Sequence, residues 1–233
     1  MTLARRIEPE WLDELPADNA RAIHSRRDLR RINGLMLQTA IMARLLTRYQ
    51  GKSPPKRIVE LGAGDGTFML GVARRLAARW PGVALVLVDR QAIVSDATRR
   101  ALRGLGWQPD SVSADVFDFL QRETPGEADI VTANLFLHHF SPGELRTLLA
   151  GAARVAPMFA ACEPRRTSPS LLASRLLLAI GANDVTRHDA VVSVRAGFCA
   201  SELSALWPGD SGWELHEHAA MPFTHCFVAR RSG

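Results

Sequence analysis

The sequence predicts an α/β fold: a Rossmann-like doubly wound sheet, mostly parallel, closed by a C-terminal antiparallel hairpin. Three observations predict it. Short apolar, β-branched runs alternate with helix-period segments from residue 57 to about residue 162. The first of these runs passes through a glycine-rich turn straight into a helix. The last two runs, Trp213 to Ala219 and Thr224 to Arg230, adjoin around Met221-Pro222 with no helix between them.

Taken in order, residues 8 to 23 carry Pro9, Pro16 and several acids and read as irregular structure or short helical turns. From Ser25 to Tyr49, Leu29, Ile32, Met36, Ala40, Ala43 and Leu46 recur every three or four positions, predicting one amphipathic helix. Arg26, Arg27, Arg30 and Arg31 on that helix read as a solvated face ahead of an anion-binding patch. Residues 1–50 are therefore expected to form a helical extension packed on a domain spanning 51–233. In that domain, Ile58 to Leu61 is the first strand, and Thr67 to Trp80 a helix stopped by Pro81-Gly82. Val83 to Val88 is the second strand, Gln91 to Arg103 a helix, and Ser111 to Asp115 a short third strand followed by a helical segment to Gln121. Asp129 to Leu135 is the fourth strand. Ser141, with Glu144 three residues on, forms a capping box for a helix to about Arg154, and Pro157 to Cys162 is the fifth strand. The alternation then breaks. Ser168 to Gly181 reads as a long apolar helix, Asn183 to Gly197 carries a β-like VVSV run, and Ser201 to Trp207 is a short helix.

Composition excludes several classes of function. The 233 residues suffice for one domain with a sizeable core. The net charge of +5 comes almost wholly from arginines dispersed from Arg5 to Arg231, with lysine only at Lys52 and Lys56, so no nucleic-acid stripe is expected. Three widely spaced cysteines, Cys162, Cys199 and Cys226, form neither a disulfide framework nor a zinc motif. The N-terminus lacks a signal-peptide core and no stretch is apolar enough to span a bilayer, which predicts a soluble, cytoplasmic protein with no membrane partner.

The chemistry is concentrated in Arg57 to Phe68, RIVELGAGDGTF. Gly62, Gly64 and Gly66 alternate there, and Thr67 opens the helix, so the turn offers close backbone approach and free N–H groups at a helix start. A dinucleotide fingerprint would be GxGxxG, but here the third glycine comes at Gly66 and Thr67 holds the sixth position. Glu60, two residues before the turn, suits a cationic ligand better than a pyrophosphate, because like charges repel in a confined site. Asp89, 23 residues past Gly66, ends the second strand where an acid accepts ribose hydroxyls. Asp115 ends the third, where it would accept an adenine amino proton beside the backbone N–H of Val116.

This pattern resembles the class I S-adenosylmethionine-dependent methyltransferases, small-molecule branch, across roughly Arg57 to Pro164 and more weakly through the hairpin. The resemblance implies a seven-stranded sheet, S-adenosyl-L-methionine as cofactor, and a substrate lid around residues 164–197. It implies that Glu60 fixes the methionine amino group, that Gly62 and Gly64 pass close to methionine and ribose, and that Asp89 holds the ribose. Asp115 and Val116 would take the adenine, while Asn134 or Leu135 borders the methyl group. Asp65, in the turn, and Arg90, beside Asp89, complete the expected set; capping the helix is the plainer role for Asp65.

Methyl transfer needs in-line attack and, for a weakly acidic hydroxyl, a base. His138 and His139, in a run that resembles the LHH of this branch, and His188 beside Asp189 are the candidates. Glu163 is expected either at the substrate or against Arg165 and Arg166, and no metal site is expected. The expected acceptor is a small hydrophobic or phenolic product of secondary metabolism, methylated on oxygen. The alternatives are an NAD(P)-binding oxidoreductase and a non-catalytic S-adenosylmethionine-binding interaction subunit. Monomer and homodimer both remain open.

Overall fold

β-branched and aliphatic runs that cannot satisfy water on either face pair into one sheet covered by helices on both sides. The computed structural model describes residues 3–16, 18–51, 53–176, 181–209 and 212–232. Its strands are β1 (Arg57–Leu61), β2 (Ala84–Asp89), β3 (Gln108–Ser113), β4 (Ile130–Asn134), β5 (Met158–Pro164), β6 (Trp213–Ala220) and β7 (Thr224–Arg231). They lie in the order β3-β2-β1-β4-β5-β7-β6, with β7 antiparallel to β5 and to β6 and all other pairings parallel.

This order reverses direction between β1 and β4, and the carboxyl ends of strands at such a switch point flank a crevice. Register fixes what faces it. Glu60 pairs with Leu87 on one side and Thr132 on the other, so the last residues of β1, β2 and β4 reach one level.

The helices are α1 (Trp11–Glu14), α2 (Ala20–Leu35), α3 (Gln38–Tyr49), α4 (Thr67–Leu76), α5 (Asp96–Gly104), α6 (Val116–Arg122), α7 (Pro142–Val155), α8 (Ser168–Arg175) and α9 (Asp184–Ala196). Single 3-10 turns occupy Leu137–His139 and Ser204–Leu206. Alternation along the strands sorts the core into two layers. Ile58, Leu85 and Leu87 pack with Met42, Leu46 and Val72 on one face; Val59, Val86 and Phe159 pack with Leu148, Leu149 and Trp207 on the other.

Several expectations are corrected by packing. The segment from Ser25 to Tyr49 is two helices, not one. Leu37, at φ +56°, breaks the run so that α3 lies along α4 while α2 turns toward α9. The VVSV segment is helical: Val185, Asp189, Val192 and Ala196 are buried at helix spacing, and Asn183 caps the start by accepting from Thr186 N–H at 2.8 Å. Burial against α1, α2 and α8 overrides its β propensity. The second helix begins only at Ser95, which caps it, and the third strand starts earlier and ends at Ser113. The predicted helix from Ser201 to Trp207 shrinks to the 3-10 turn. The apolar run after Ser168 is helical through Arg175, and residues 177–180 of that expectation fall outside the described residues. The Ser141–Glu144 capping box forms as expected.

Phe159 is fully buried on β5 between the Trp207 and Phe227 rings, at centroid distances of 5.6 and 6.1 Å. Phe159→Ala should lower unfolding free energy by about 3–5 kcal/mol, measured by urea denaturation. A loss below about 1 kcal/mol would show that this layer is not packed as described.

Candidate active site

The glycine turn is shaped by its neighbours as much as by its own sequence. Gly62 stands at φ +68°, and a Cβ on it would meet the Phe136 ring at 2.2 Å, so only glycine lets the β4 loop lie against the turn. Gly64 N–H donates to Asp89 Oδ2 at 2.8 Å, while Gln91 N–H donates to Asp89 Oδ1 at 2.9 Å. Asp89 therefore ties the turn to the end of β2, and its remaining lone pairs are left for hydroxyl donors. Asp65, one residue before the Gly66 N-cap of α4, accepts from Thr67 N–H at 3.0 Å, and its other oxygen holds Arg30 at 2.8 Å.

Glu60 is buried at the end of β1, where it accepts the Thr132 hydroxyl proton. Burial pushes its carboxyl up to about 8; the Thr132 hydrogen bond opposes this, and the nearby charge of Glu163 adds to it. An adjacent cation would draw Glu60 into its carboxylate form. Asn134, at the end of β4, is also buried, and its Oδ1 has no partner within the protein although it borders the cavity. Leu135 follows at φ +51°, an unusual conformation for a leucine, held by its N–H bond to the Cys162 carbonyl at 2.9 Å.

A cavity of about 440 Å³ opens over these strand ends and is bordered by Glu60, Gly62, Gly64, Asp65, Asp89, Arg90, Asn134 and Leu135 together. Asp115 and Val116 do not border it. Asp115 is the N-cap of α6, accepting from Phe117 N–H at 2.8 Å, two residues beyond the Asp89–Ser113 pairing at the edge of β2 and β3.

The three histidines separate. His138 borders the cavity, but both ring nitrogens are engaged: Nδ1 lies 2.8 Å from Glu163 Oε2 and Nε2 lies 3.2 Å from Glu10 Oε1. Burial alone would lower its pKa. Its bonds to Glu10 and Glu163 outweigh burial and push it to about 9, so at neutral pH it is an imidazolium, unable to act as a base. His139 has the opposite tendency, lowered by burial and by the charge on His138, and its Nδ1 sits 3.4 Å from Asp13. His188 lies off the cavity wall, stacked on Trp11 at 3.9 Å and bonded to Asp189 at 2.8 Å, because α9 turns it toward α1.

Glu163 meets neither substrate space nor the arginines. It is fully buried and accepts from the N–H groups of Phe136, Leu137 and His138 at 2.9, 2.8 and 3.3 Å. Arg166 pairs with Glu202 instead.

Residues that sequence reasoning missed come from the N-terminal segment and from α9. Glu10, Leu12 and Asp13 border the cavity, as do Leu29, Ile32 and Met36 of α2 and Ser193 and Val194 of α9. Arg26 and Arg30, expected on a solvated face, border it too; Arg26 donates to Gln91 Oε1 at 3.1 Å. Trp11 and Leu12 N–H donate to the Asp189 carboxylate at 2.9 and 3.0 Å, and this closes the segment onto α9. Glu10 and Asp13 stand i,i+3 around Trp11, the one available hint, but only tertiary folding brings them to β4.

Residues 58–157 match the family described as a methyltransferase domain. A search of curated protein sequences finds no match. Among solved structures, the chain is similar in fold to an O-methyltransferase, named as putative, from Nostoc punctiforme PCC 73102, with 16% identity, TM-score 0.60, and coverage of 98% of this chain and 64% of that one. It is also similar to mitomycin 7-O-methyltransferase, with 20% identity, TM-score 0.61 and coverage of 95% and 60%. A third is magnesium protoporphyrin IX methyltransferase from Synechocystis PCC 6803 with bound SAH, with 15% identity, TM-score 0.54 and coverage of 85% and 84%. The chain thus spans under two-thirds of the length of the first and second of these.

Residues 58–157, less than half of the chain, match a methyltransferase domain, and the seven-stranded sheet is the fold shared with these solved structures. The antiparallel β7, inserted between β5 and β6, sets this sheet apart from the 3-2-1-4-5-6 order of the dinucleotide fold. The groups at the strand ends suit a ligand that carries an ammonium and vicinal hydroxyls, as S-adenosylmethionine does. The unpartnered Asn134 oxygen and the buried Glu60 acid can receive an ammonium, and Asp89 can receive ribose hydroxyls. Among the described residues, no helix is long and apolar enough to cross a membrane.

Glu60 also makes the ligand-free protein pH-sensitive. Its folded pKa of about 8 lies above the ordinary 4.5, so its contribution is fully present below 4.5 and is lost as pH rises through 8. Stability should fall on the order of 4–5 kcal/mol across that window, and Glu60→Gln should remove this part of the slope in pH-dependent denaturation. A slope unchanged in the variant would place the titration elsewhere.

Proposed function

We propose that the protein transfers the methyl group of S-adenosylmethionine to a hydroxyl oxygen of a small, apolar or phenolic metabolite. The observation that carries this reading is a single cavity that joins the Glu60–Asp89–Asn134 cluster to an apolar wall of Leu29, Ile32, Met36, Phe68 and Phe223. Only part of the cavity is polar beyond the cofactor cluster. Glu10, Asp13 and His138 are among those groups, with Asn33, Ser170 and Ser193, and placed polar groups in an otherwise apolar pocket orient a small acceptor.

Methyl transfer from a sulfonium is chiefly a matter of position. An acceptor oxygen held in line with the S–CH3 bond attacks carbon, the carbon–sulfur bond breaks, and the sulfonium becomes a neutral thioether. Within this reading Glu60 and Asn134 hold the methionine ammonium, Asp89 holds the ribose, and Asp115 with the Val116 N–H lies where the adenine extends past β2. His188 has no part in the transfer. The mitomycin 7-O-methyltransferase among the similar folds accords with an oxygen acceptor. Several of the dispersed arginines are tied to Asp65, Asp184 or Glu202, which argues against a continuous phosphate-binding stripe.

Two measurements test the proposal. Incubation with methyl-labelled cofactor should label phenolic or other hydroxylated small molecules; label in RNA or protein but in no aromatic small molecule would overturn it. Asp89→Ala should weaken cofactor binding by about 1–3 kcal/mol in calorimetry, because the ribose hydroxyls lose a carboxylate acceptor. Unchanged affinity would move the ribose elsewhere.

A further inference from the structure

We infer a divalent metal site for a first-row transition ion, with Glu10, His138 and His139 as ligands and Glu163 as the carboxylate that orients His138. Each of the three residues offers one ligand atom, and these atoms lie within 4.8 Å of one another. The Glu10 Oε1 to His138 Nε2 separation is 3.2 Å. Bond lengths of about 2.0–2.2 Å at tetrahedral angles separate neighbouring ligand atoms by about 3.3–3.5 Å. An ion would displace the proton that His138 Nε2 shares with Glu10 Oε1, with the two atoms moving apart by a few tenths of an ångström. The third ligand, His139, has to close by about an ångström, and its side chain is partly exposed.

The surroundings of the cluster are those of a held ligand set. A metal-binding histidine usually donates its other ring N–H to a carboxylate or carbonyl, which fixes tautomer and ring plane. His138 Nδ1 meets Glu163 at 2.8 Å, and Glu163 is itself locked by backbone N–H groups of the β4 loop. His139 Nδ1 faces Asp13 at 3.4 Å, and Glu10 receives the Ser193 hydroxyl. Each ligand thus has an outer partner from a different element: β5, α1 and α9. Three carboxylates, Glu10, Asp13 and Glu163, converge on two adjacent imidazoles whose ring centroids are 4.3 Å apart. An ion pair needs only one imidazole, whereas a dication accounts for both and offsets the excess negative charge. Two imidazoles with carboxylate oxygen suit zinc, iron(II) or manganese rather than calcium or magnesium.

Two of the ligands, Glu10 and His138, border the cavity, so an ion here would lie at its wall, within reach of an acceptor bound there. It would lower the pKa of a bound hydroxyl. The proton passes to solvent, the oxygen–methyl bond forms, and the methyl–sulfur bond breaks to leave the thioether. This role rests on the proposed O-methylation, whereas the site itself does not.

The test loads the chelator-treated full-length chain with zinc, dialyses it against metal-free buffer and reads metal by plasma mass spectrometry. Retention of about one equivalent per chain, with a raised Tm, is the expected result. Cobalt(II) in place of zinc should give visible absorption bands of a low-symmetry nitrogen–oxygen site. Glu10→Gln and His139→Ala, checked for folding by circular dichroism, should each retain about tenfold less, and Glu163→Gln should weaken binding about 10–100-fold. His24→Ala, at an exposed histidine away from the cluster, should retain metal like the unaltered chain. Retention below about one-tenth equivalent, or equal retention in Glu10→Gln, His139→Ala and the unaltered chain, would overturn the site. Metal bound at the cluster with hydroxyl methylation indifferent to its removal would overturn only the catalytic role. Metal bound with no hydroxylated acceptor methylated would count against the proposed function and leave the site standing.

Discussion

The buried carboxylate of Glu163 is the constraint on which the rest of the site depends. It sits at the end of β5 with no exposure and gathers three backbone N–H groups and one imidazole from the loop after β4. Unpaired, each of those donors would be a buried polar group without a partner, at a cost of about 1–3 kcal/mol apiece. With them paired, the loop has one conformation. Phe136 lies on Gly62, Leu135 is held in the left-handed region, and Asn134 presents its amide to the cavity. His138, fixed from behind, then receives Glu10 and so sets where the N-terminal segment closes.

The two ends of the cavity are built on different electrostatic principles. Over the sheet, isolated acids wait for a cation: Glu60 is buried almost without compensation, and its raised pKa expresses that cost. Beneath the N-terminal segment, carboxylates and imidazoles already compensate one another, and His138 is held in its charged form. The first arrangement favours a ligand that brings positive charge. The second orders a wall of the protein and concentrates donor atoms there.

The closing segment is held by interactions spread over long sequence separations. Arg5 donates to the carbonyls of Ala196, His138 and Phe140; Asp189 receives the amides of Trp11 and Leu12; Arg30 reaches Asp65. These contacts explain why a stretch that reads as irregular is ordered. Backbone N–H groups of Arg6, Trp11 and Leu12 find partners on α9, and the Arg5 side chain ties the segment to the loop after β4.

How much of this was legible follows from the range of the forces involved. The sequence by itself determined the strand–helix alternation, the glycine turn and the capping box, because residue periodicity and local backbone preference act over a few positions. It likewise placed Glu60, Asp89 and Asn134 at strand ends, since a parallel sheet brings successive carboxyl ends to one edge whatever the helices do. Only tertiary structure decided that the VVSV segment is a helix, that the helix after Ser25 breaks at Leu37, and that Glu163 faces a loop rather than the arginines. The assembly of Glu10, His138 and His139 was beyond local reading for the same reason. Residues 128 apart meet only through the packing of α1 on α9 and of α9 on the turn after β4, and packing is a property of the whole chain.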